Sequence, residues 1–328
     1  MTFKVSIQHN DINFTTSTDD IILDSALESK INLPHGCKNG TCGECKCQLV
    51  SGSVTHEEYS SVALSAEELA DNKILLCRSV ATSDLVLDLP GFVNGFPIKT
   101  LPSKIASIEK IGSVAVLKLK LPASQNFDFF AGQYIDIIHG GKNRSYSLAN
   151  SPSQAGILEL HIRYRAGGVF SESVWNEFKV GQILRFKGPL GSFTLKDSSA
   201  PMLMVCTGTG FAPIKAILEQ MIAHNSKRKV HLIWGNFLPE DFYMTEVLPI
   251  WQQQLDLSVT LCSNENTPAD FYNGLVTEFV TKNYPDLSHY QVYACGNPGM
   301  IENLYNTAAN QLKLVKTNFF SDVFTPSV

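Results

Sequence analysis

The sequence predicts a multidomain α+β and α/β protein, and three changes of texture along its 328 residues carry that prediction. The N-terminal segment mixes short strand-like runs with a short helical run, the middle segment alternates apolar and polar residues at period two, and the last segment alternates apolar strand runs with amphipathic helices. At about 150 residues per domain, the length suits two or three domains with buried cores.

Taken in order, FKVSI and INFTT are the first strand-like runs, separated by a polar turn at Asn10 and Asp11, and ILDSALESK is the helix that follows. The stretch from Pro90 to Pro102, PGFVNGFPIKTLP, is dense in residues that favour an extended linker over a continuing element. Boundaries therefore fall at residues 1–92, a linker over 93–102, a second domain over 103–197 and a third over 198–328. In the second, Leu117, Leu119 and Leu121 alternate with Lys118 and Lys120. Likewise Leu158, Leu160, Ile162 and Tyr164 alternate with Glu159, His161 and Arg163, the pattern of half-buried antiparallel strands. With QYIDII, RSYSL and ILRFKG as further strands and SESVWNEF as the lone helix, the segment reads as a small antiparallel β-barrel. After residue 198, the runs MLMVC, VHLIW, LSVTLC and QVYAC alternate with helical patterns such as Ile214, Ile217, Leu218 and Met221, which predicts a parallel sheet covered on both faces.

A balance of 26 Lys and Arg against 31 Asp and Glu gives a net charge of −5, with no footprint for nucleic-acid phosphates or an anionic membrane face. No stretch of about 18 residues is apolar and charge-free, which argues against a membrane span. The start, MTFKVSIQHND, lacks the basic-then-apolar layout of a secretory signal, and a cytoplasmic location is expected.

Cys37, Cys42, Cys45 and Cys47 crowd one short stretch of the chain. In a reducing compartment such a cluster points to metal rather than to disulfides. The run CKNGTCGEC reads C-x4-C-x2-C, and 31 residues separate Cys45 from Cys77. That spacing is the plant-type 2Fe-2S pattern, so Cys37, Cys42, Cys45 and Cys77 are the candidate ligands. Gly36, Gly40 and Gly43 let the backbone fold around a cluster and let N–H groups approach the sulfurs. A zinc site from the same four cysteines is the alternative, although structural zinc favours two separated C-x2-C pairs. Cys47 opens an apolar run and reads as a strand residue, as do Cys206 and Cys262.

Two short runs in the barrel segment, RSYS at Arg144 to Ser147 and GPLGSF at Gly188 to Phe193, are weak alone. Inside a barrel that follows the cysteine segment, they make the chain resemble the ferredoxin-NADP reductase superfamily, in the order found in iron-sulfur flavoprotein reductases. The resemblance implies a β-grasp ferredoxin, an antiparallel FAD-binding β-barrel and a parallel-sheet nicotinamide-binding domain. It also implies that Arg144 pairs with the FAD diphosphate, that Tyr146 stacks on the isoalloxazine, and that Ser147 hydrogen-bonds near the nitrogen that accepts hydride. In RAGGVFSESV, Gly168 would turn the chain and Ser171 would cap the lone helix, whose N-terminus suits the other side of the diphosphate.

MLMVC runs into TGTGFAP and then a helix, a turn that admits a diphosphate at a helix N-terminus; Gly208, Thr209 and Gly210 are its candidates. Pro213 replaces the third glycine of G-x-G-x-x-G, which departs from standard dinucleotide dehydrogenases and matches the GTGxAP turn of the resembled family. There Cys295 and Gly296 of CGNPGM border the nicotinamide, and a C-terminal residue, Phe324 or alternatively Asp322, faces the flavin opposite the tyrosine. Phe319 and Phe320 read as core. WGNFLPED and CSNEN, where a base would read a 2′-phosphate, contain none, which favours NADH. The resemblance thus implies NADH, FAD and a 2Fe-2S cluster, with Ser147, Cys295 and Phe324 around the hydride transfer. The electron acceptor would be a partner protein: AGQYIDI, RSYSLAN, GTGFAPIK, VYACG and FFSDVF look like the reductases that serve a dehydrase of 3,6-dideoxysugar formation. The alternatives are the reductase component of an aromatic-ring or hydrocarbon oxygenase and, in another class, a non-enzymatic redox sensor or zinc-bearing module.

Overall fold

A computed structural model describes residues 1–90, 92 and 94–324. It divides into two compact units, Met1–Lys99 with Pro189–Phe193, and Thr100–Gly188 with Thr194–Val328.

In the first unit five strands form one sheet in the order Asn13–Ser17, Thr2–Ile7, Leu85–Asp88, Lys46–Ser51, Lys73–Leu75. The first hairpin is antiparallel, and Thr2–Ile7 then pairs in parallel with Leu85–Asp88, so the N-terminal strand lies inside the sheet. The helix Ile22–Glu28 packs Ile22, Leu23, Ala26 and Leu27 into the core, one face of a short amphipathic helix. A buried hydroxyl pair, Thr16 Oγ1 and Ser25 Oγ at 2.8 Å, ties it to the adjacent strand. Pro189–Phe193 belongs to this unit because Ser192 and His35 exchange bonds: Ser192 N–H donates to the His35 carbonyl at 3.0 Å, and His35 N–H to Ser192 Oγ at 3.1 Å. The tail of the GPLGSF run is therefore part of the first unit, where the sequence placed the whole run in the barrel. The expected linker is shorter than residues 93–102, since a strand begins at Lys99; Gly91 and Val93 lie outside the described residues.

In the second unit, six strands run in the order Lys142–Ser147, Tyr134–His139, Ile183–Leu190, Lys99–Ile111, Val114–Lys120, Ile157–Arg163. A bridge between Leu148 and Leu160 joins the two edges of this sheet, so it curls into a barrel. Its core is aliphatic, with Leu117, Leu158, Leu160 and Ile162 inward as the alternation predicts. The opposite face differs from expectation: Glu159 and His161 are 4 % and 3 % exposed. Period two marks one face as apolar, but it cannot show that a second layer covers the other. Here that layer is the helix Phe211–Ala223, whose Phe211 stacks on His161 and whose Lys215 pairs with Glu159.

The remaining sheet is parallel throughout, in the order Tyr272–Asn273, Leu257–Ser263, Val230–Gly235, Met202–Thr207, Gln291–Gly296, Phe319–Val323. The chain leaves the central strand Met202–Thr207 to one side and returns on the other at Gln291–Gly296. Strand order reverses between those two, and a ligand crevice forms beyond the carboxyl ends at such a reversal. Thr207 and Gly296 are those ends. Pro213 is tolerated because it falls in the first turn of its helix, where N–H groups have no intrahelical acceptor.

Candidate functional site

Three sites emerge, one in the first unit and two in the second. In the first unit the cysteine run is a loop with left-handed backbone at Lys38, Gly40 and Gly43. Gly36 is not among these positions, so the lysine does what the sequence reading assigned to a third glycine. A Cβ on Gly40 would lie 2.8 Å from Arg78 Cγ and 2.9 Å from Tyr59 Cβ, so close packing as well as conformation requires glycine there.

The four candidate sulfurs come together as two pairs. Cys45 and Cys77 thiols stand 3.2 Å apart, and Cys37 hydrogen-bonds with Cys42. N–H groups of Thr41 and Cys42 reach Cys37 Sγ at 3.4 Å each, and Cys37 N–H reaches Cys42 Sγ at 3.5 Å. Two thiolates per iron is the donor set a binuclear cluster needs, and N–H groups aimed at sulfur stabilise its negative charge. Among the described residues no three His, Cys, Asp or Glu side chains converge as a single ion would require. Cys47 lies buried in the strand Lys46–Ser51, where burial pushes its thiol up to about 12, as expected of a structural cysteine.

The second site is the end of the barrel. Arg144 and Tyr146 share one face of the strand Lys142–Ser147, while Ser145 points the other way and donates to Asp136 Oδ1 at 2.6 Å. Burial pushes the Tyr146 phenol up to about 12 against the nearby charges of Arg144 and Arg165. The sequence reading did not single out Arg165. Beside them starts the helix Val169–Asn176, and here one expectation is corrected: its N-cap is Gly168, and Ser171 lies inside the first turn. The helix starts earlier because Gly167 takes a left-handed φ of 76° and Gly168 is extended, and the Ser171 hydroxyl instead bonds back to the Arg165 and Gly168 carbonyls. Two arginines, an aromatic ring and the unpaired N–H groups of a helix start fit the diphosphate and ring of a flavin nucleotide.

The third site is the crevice where strand order reverses. Gly208–Gly210 form one 3₁₀ turn, with left-handed backbone at Gly208, and then enter the helix. Cβ atoms on Gly210 and Gly296 would collide with the Cys295 carbonyl and with Thr207, so these two strand ends touch backbone to backbone. Ser147, from the barrel, donates to Asp322 Oδ2 at 3.2 Å, and Asp322 is the register partner of Cys295. Phe324 N–H donates to the Gly296 carbonyl at 2.8 Å. The fold thus gathers Ser147, Cys295, Gly296, Asp322 and Phe324 from three distant stretches. Cys295 is fully buried, and that burial raises its thiol well above the usual range. Phe319 and Phe320 are half-buried, packed on Tyr305 and Tyr293.

A buried charge network lies between the barrel strand and the helix. All three Lys215 N–H donors are used, by Glu159 Oε1 at 3.0 Å, Glu219 Oε1 at 2.6 Å and the Ala149 carbonyl at 3.0 Å. His161 Nε2 meets Glu159 Oε1 at 2.9 Å and Nδ1 meets Tyr243 OH at 2.9 Å. Burial lowers the His161 pKa against the pull of Glu159, so the ring is neutral, its Nε2–H donating to Glu159 and its Nδ1 accepting from the tyrosine. Burial pushes Glu159 up, but the bond from His161 and the charge of Lys215 overcome it and hold the carboxyl down to about 2. The group joins a barrel strand, a helix and the loop of Tyr243, and although Lys215 closes the GTGFAPIK run, nothing in that run marks it as a partner of Glu159. Among the described residues no helix is long and apolar enough to cross a membrane.

Comparisons with known proteins identify three domains along the chain. Residues 5–82 match the 2Fe-2S iron-sulfur cluster binding domain, 102–195 the oxidoreductase FAD-binding domain and 204–305 the oxidoreductase NAD-binding domain. The chain is 40 % identical to the CDP-6-deoxy-L-threo-D-glycero-4-hexulose-3-dehydrase reductase of Yersinia pestis, over 100 % of both chains. It is 33 % identical to reductase component 1 of the terephthalate 1,2-dioxygenase of Comamonas sp., over 100 % of this chain and 98 % of the other. Among solved structures, an Amycolatopsis cytochrome P450 reductase superposes with a TM-score of 0.82 at 26 % identity, covering 99 % of each chain.

Proposed function

The chain belongs to the iron-sulfur flavoprotein reductases, in which a 2Fe-2S domain, an FAD-binding domain and an NAD-binding domain follow one another, and on that premise we propose that it donates electrons to a dehydrase of 3,6-dideoxysugar formation. It is an NADH-dependent oxidoreductase that hands electrons to a partner protein. FAD, once bound, would supply the capacity to accept a two-electron hydride and give up electrons singly, and a 2Fe-2S cluster would supply one-electron carriage.

In this reading the domains are residues 1–92, 103–197 and 198–328. Cys37 and Cys42 hold one iron, and Cys45 and Cys77 the other. Arg144 and the N–H groups at the start of the helix after Gly168, that of Ser171 among them, hold the FAD diphosphate; Tyr146 packs on the isoalloxazine. Ser147 stands at the flavin nitrogen that accepts hydride, its hydroxyl hydrogen turning from Asp322 to that nitrogen, and Phe324 covers the opposite face. Gly208, Thr209 and Gly210 admit the dinucleotide, with Cys295 and Gly296 walling the nicotinamide.

The observation that carries the choice of acceptor is full-length identity, 40 % to a dehydrase reductase against 33 % to a dioxygenase reductase. The experiment is an anaerobic titration with NADH, followed by visible absorbance and low-temperature EPR, and then addition of an acceptor. Flavin bleaching should precede a 2Fe-2S signal, and a CDP-6-deoxyhexulose 3-dehydrase with its substrate should discharge that signal within turnover time. Discharge by a ring-hydroxylating oxygenase component, with the dehydrase inert, would move the protein to the alternative acceptor class. Rates with NADH should exceed those with NADPH; the reverse order would show that the adenosine pocket has been misread.

A further inference from the structure

Beside the Gly208 turn stands an amide with nothing to bond. Asn236 follows the strand Val230–Gly235 and is 8 % exposed, yet neither its Oδ1 nor its Nδ2 has a partner. Its own N–H is spent on the Cys262 carbonyl at 3.0 Å, which fixes the backbone at this strand end. A buried amide left unpaired costs stability that an alanine of the same backbone would not forfeit, so the side chain is matched to something other than the fold.

What it faces is the space over Gly208. A Cβ placed there would lie 3.9 Å from Asn236 Oδ1 and 3.3 Å from Arg163 Nη1, so the amide and a guanidinium both look onto the turn. Arg163 comes from the barrel strand Ile157–Arg163 and is fixed from behind: Nη2 donates to Asp241 Oδ1 at 2.7 Å and Nε to Ser113 Oγ at 3.4 Å. Ser113 Oγ also reaches Asp241 Oδ1 at 3.5 Å, closing a triangle that aims the remaining nitrogen at the turn. Asp241, the last residue of the WGNFLPED run, thus serves to orient a base supplied by another domain.

The two groups have different chemistry. A guanidinium donates only and suits phosphate oxygens. An amide both donates and accepts, so phosphate, which only accepts, would leave its Oδ1 unpaired, whereas vicinal hydroxyls satisfy both ends. We propose that Arg163 and Asn236 form a two-point clamp on the dinucleotide, Arg163 on a diphosphate oxygen and Asn236 on the hydroxyls of the adjoining ribose. The proposal deepens the NADH reading and rests on it. The clamp would draw one jaw from the barrel and the other from the parallel sheet, so that bound dinucleotide spans both.

The test uses the full-length protein loaded with FAD and cluster, with calorimetric binding of NAD⁺ and of ADP-ribose, which keeps the diphosphate and both sugars but lacks the nicotinamide. Asn236→Ala should weaken both ligands by a similar factor of about ten, the loss expected for a group whose hydrogen bonds form only in the complex. Because the substitution removes an unpaired buried amide, the ligand-free melting temperature should hold or rise, while the rise produced by a fixed NAD⁺ concentration shrinks. Arg163→Gln should weaken both ligands as well, and Arg163→Lys should recover part of the loss. Unchanged NAD⁺ binding by Asn236→Ala would overturn the clamp. Loss for NAD⁺ with none for ADP-ribose would overturn the ribose assignment by placing the amide on the nicotinamide. Failure of the unaltered protein to bind either ligand would instead remove the NADH reading beneath it.

Discussion

The cysteine loop of the first unit and the Glu159–His161–Lys215 group of the second are both dense clusters of ionisable side chains, and they are finished to different degrees. Every polar hydrogen of the second has an internal acceptor: Lys215 spends its three donors, neutral His161 donates once and accepts once, and Glu159 receives both. The first gathers four thiols that as thiolates would repel one another, with N–H groups already aimed at sulfur. A constellation that satisfies itself holds a fold together, whereas one that cannot do so without a guest holds a guest. By the same criterion Asn236 sides with the cysteines.

The sharpest way to break this comparison is to remove one member of each. Cys77→Ser should abolish the 2Fe-2S EPR signal and NADH-driven reduction of the protein acceptor while NADH still bleaches the flavin; a normal cluster in this variant would remove Cys77 from the ligand set. Glu159→Gln should act on stability instead. It strands the buried Lys215 charge between fewer partners, and breaking a buried pair costs about 3–5 kcal/mol, read as a lower denaturation midpoint with the cluster spectrum intact. Loss of the cluster signal in the folded Glu159→Gln protein would show that the network is not merely structural.

Acid should expose the same network at lower cost. His161 is held neutral, so the unfolded chain binds a proton that the folded chain refuses; stability is complete above the ordinary histidine value near 6.5 and falls as pH drops below it. Glu159, depressed to about 2, adds a second loss that begins near its ordinary value of 4.5 and continues down to about 2. A melting temperature that is flat from pH 7 to about pH 5 would contradict a neutral His161. The smallest effect belongs to Lys118, 46 % exposed and 3.6 Å from Glu159 Oε2: Lys118→Ala should cost no more than about 1 kcal/mol.

Much of the fold was legible because it is written locally. The strand runs, the helix over Ile22–Glu28, the parallel α/β rhythm and the three-cysteine loop each fall within short windows, and each is present. Most of the misreadings come from information carried by something outside the window, and Ser171, misread within its own run, is the exception. Glu159 and His161 look like the wet side of a strand until a helix from another domain covers them. Ser171 looks like a cap until the two glycines before it start the helix three residues early. Asn236 lay in WGNFLPED, a run read only for the base it lacks, at the carboxyl end of a strand next to the central one. In the candidate sites, motif residues were readable, while their supports, Arg165, Arg163 and Asp241, became visible only once strands and loops were assembled.

The charge network also bears on recombination. A chimaera that joined this barrel to a nucleotide domain from another reductase near residue 198 would cut the chain between elements, where sequence suggests a harmless junction. It would nevertheless leave Glu159 and His161 facing a helix that need not carry Lys215, and a loop that need not carry Tyr243. The heritable module in the second unit is therefore the barrel and the parallel sheet together, and exchanges that respect this pair should survive better than exchanges that respect only the domain boundary.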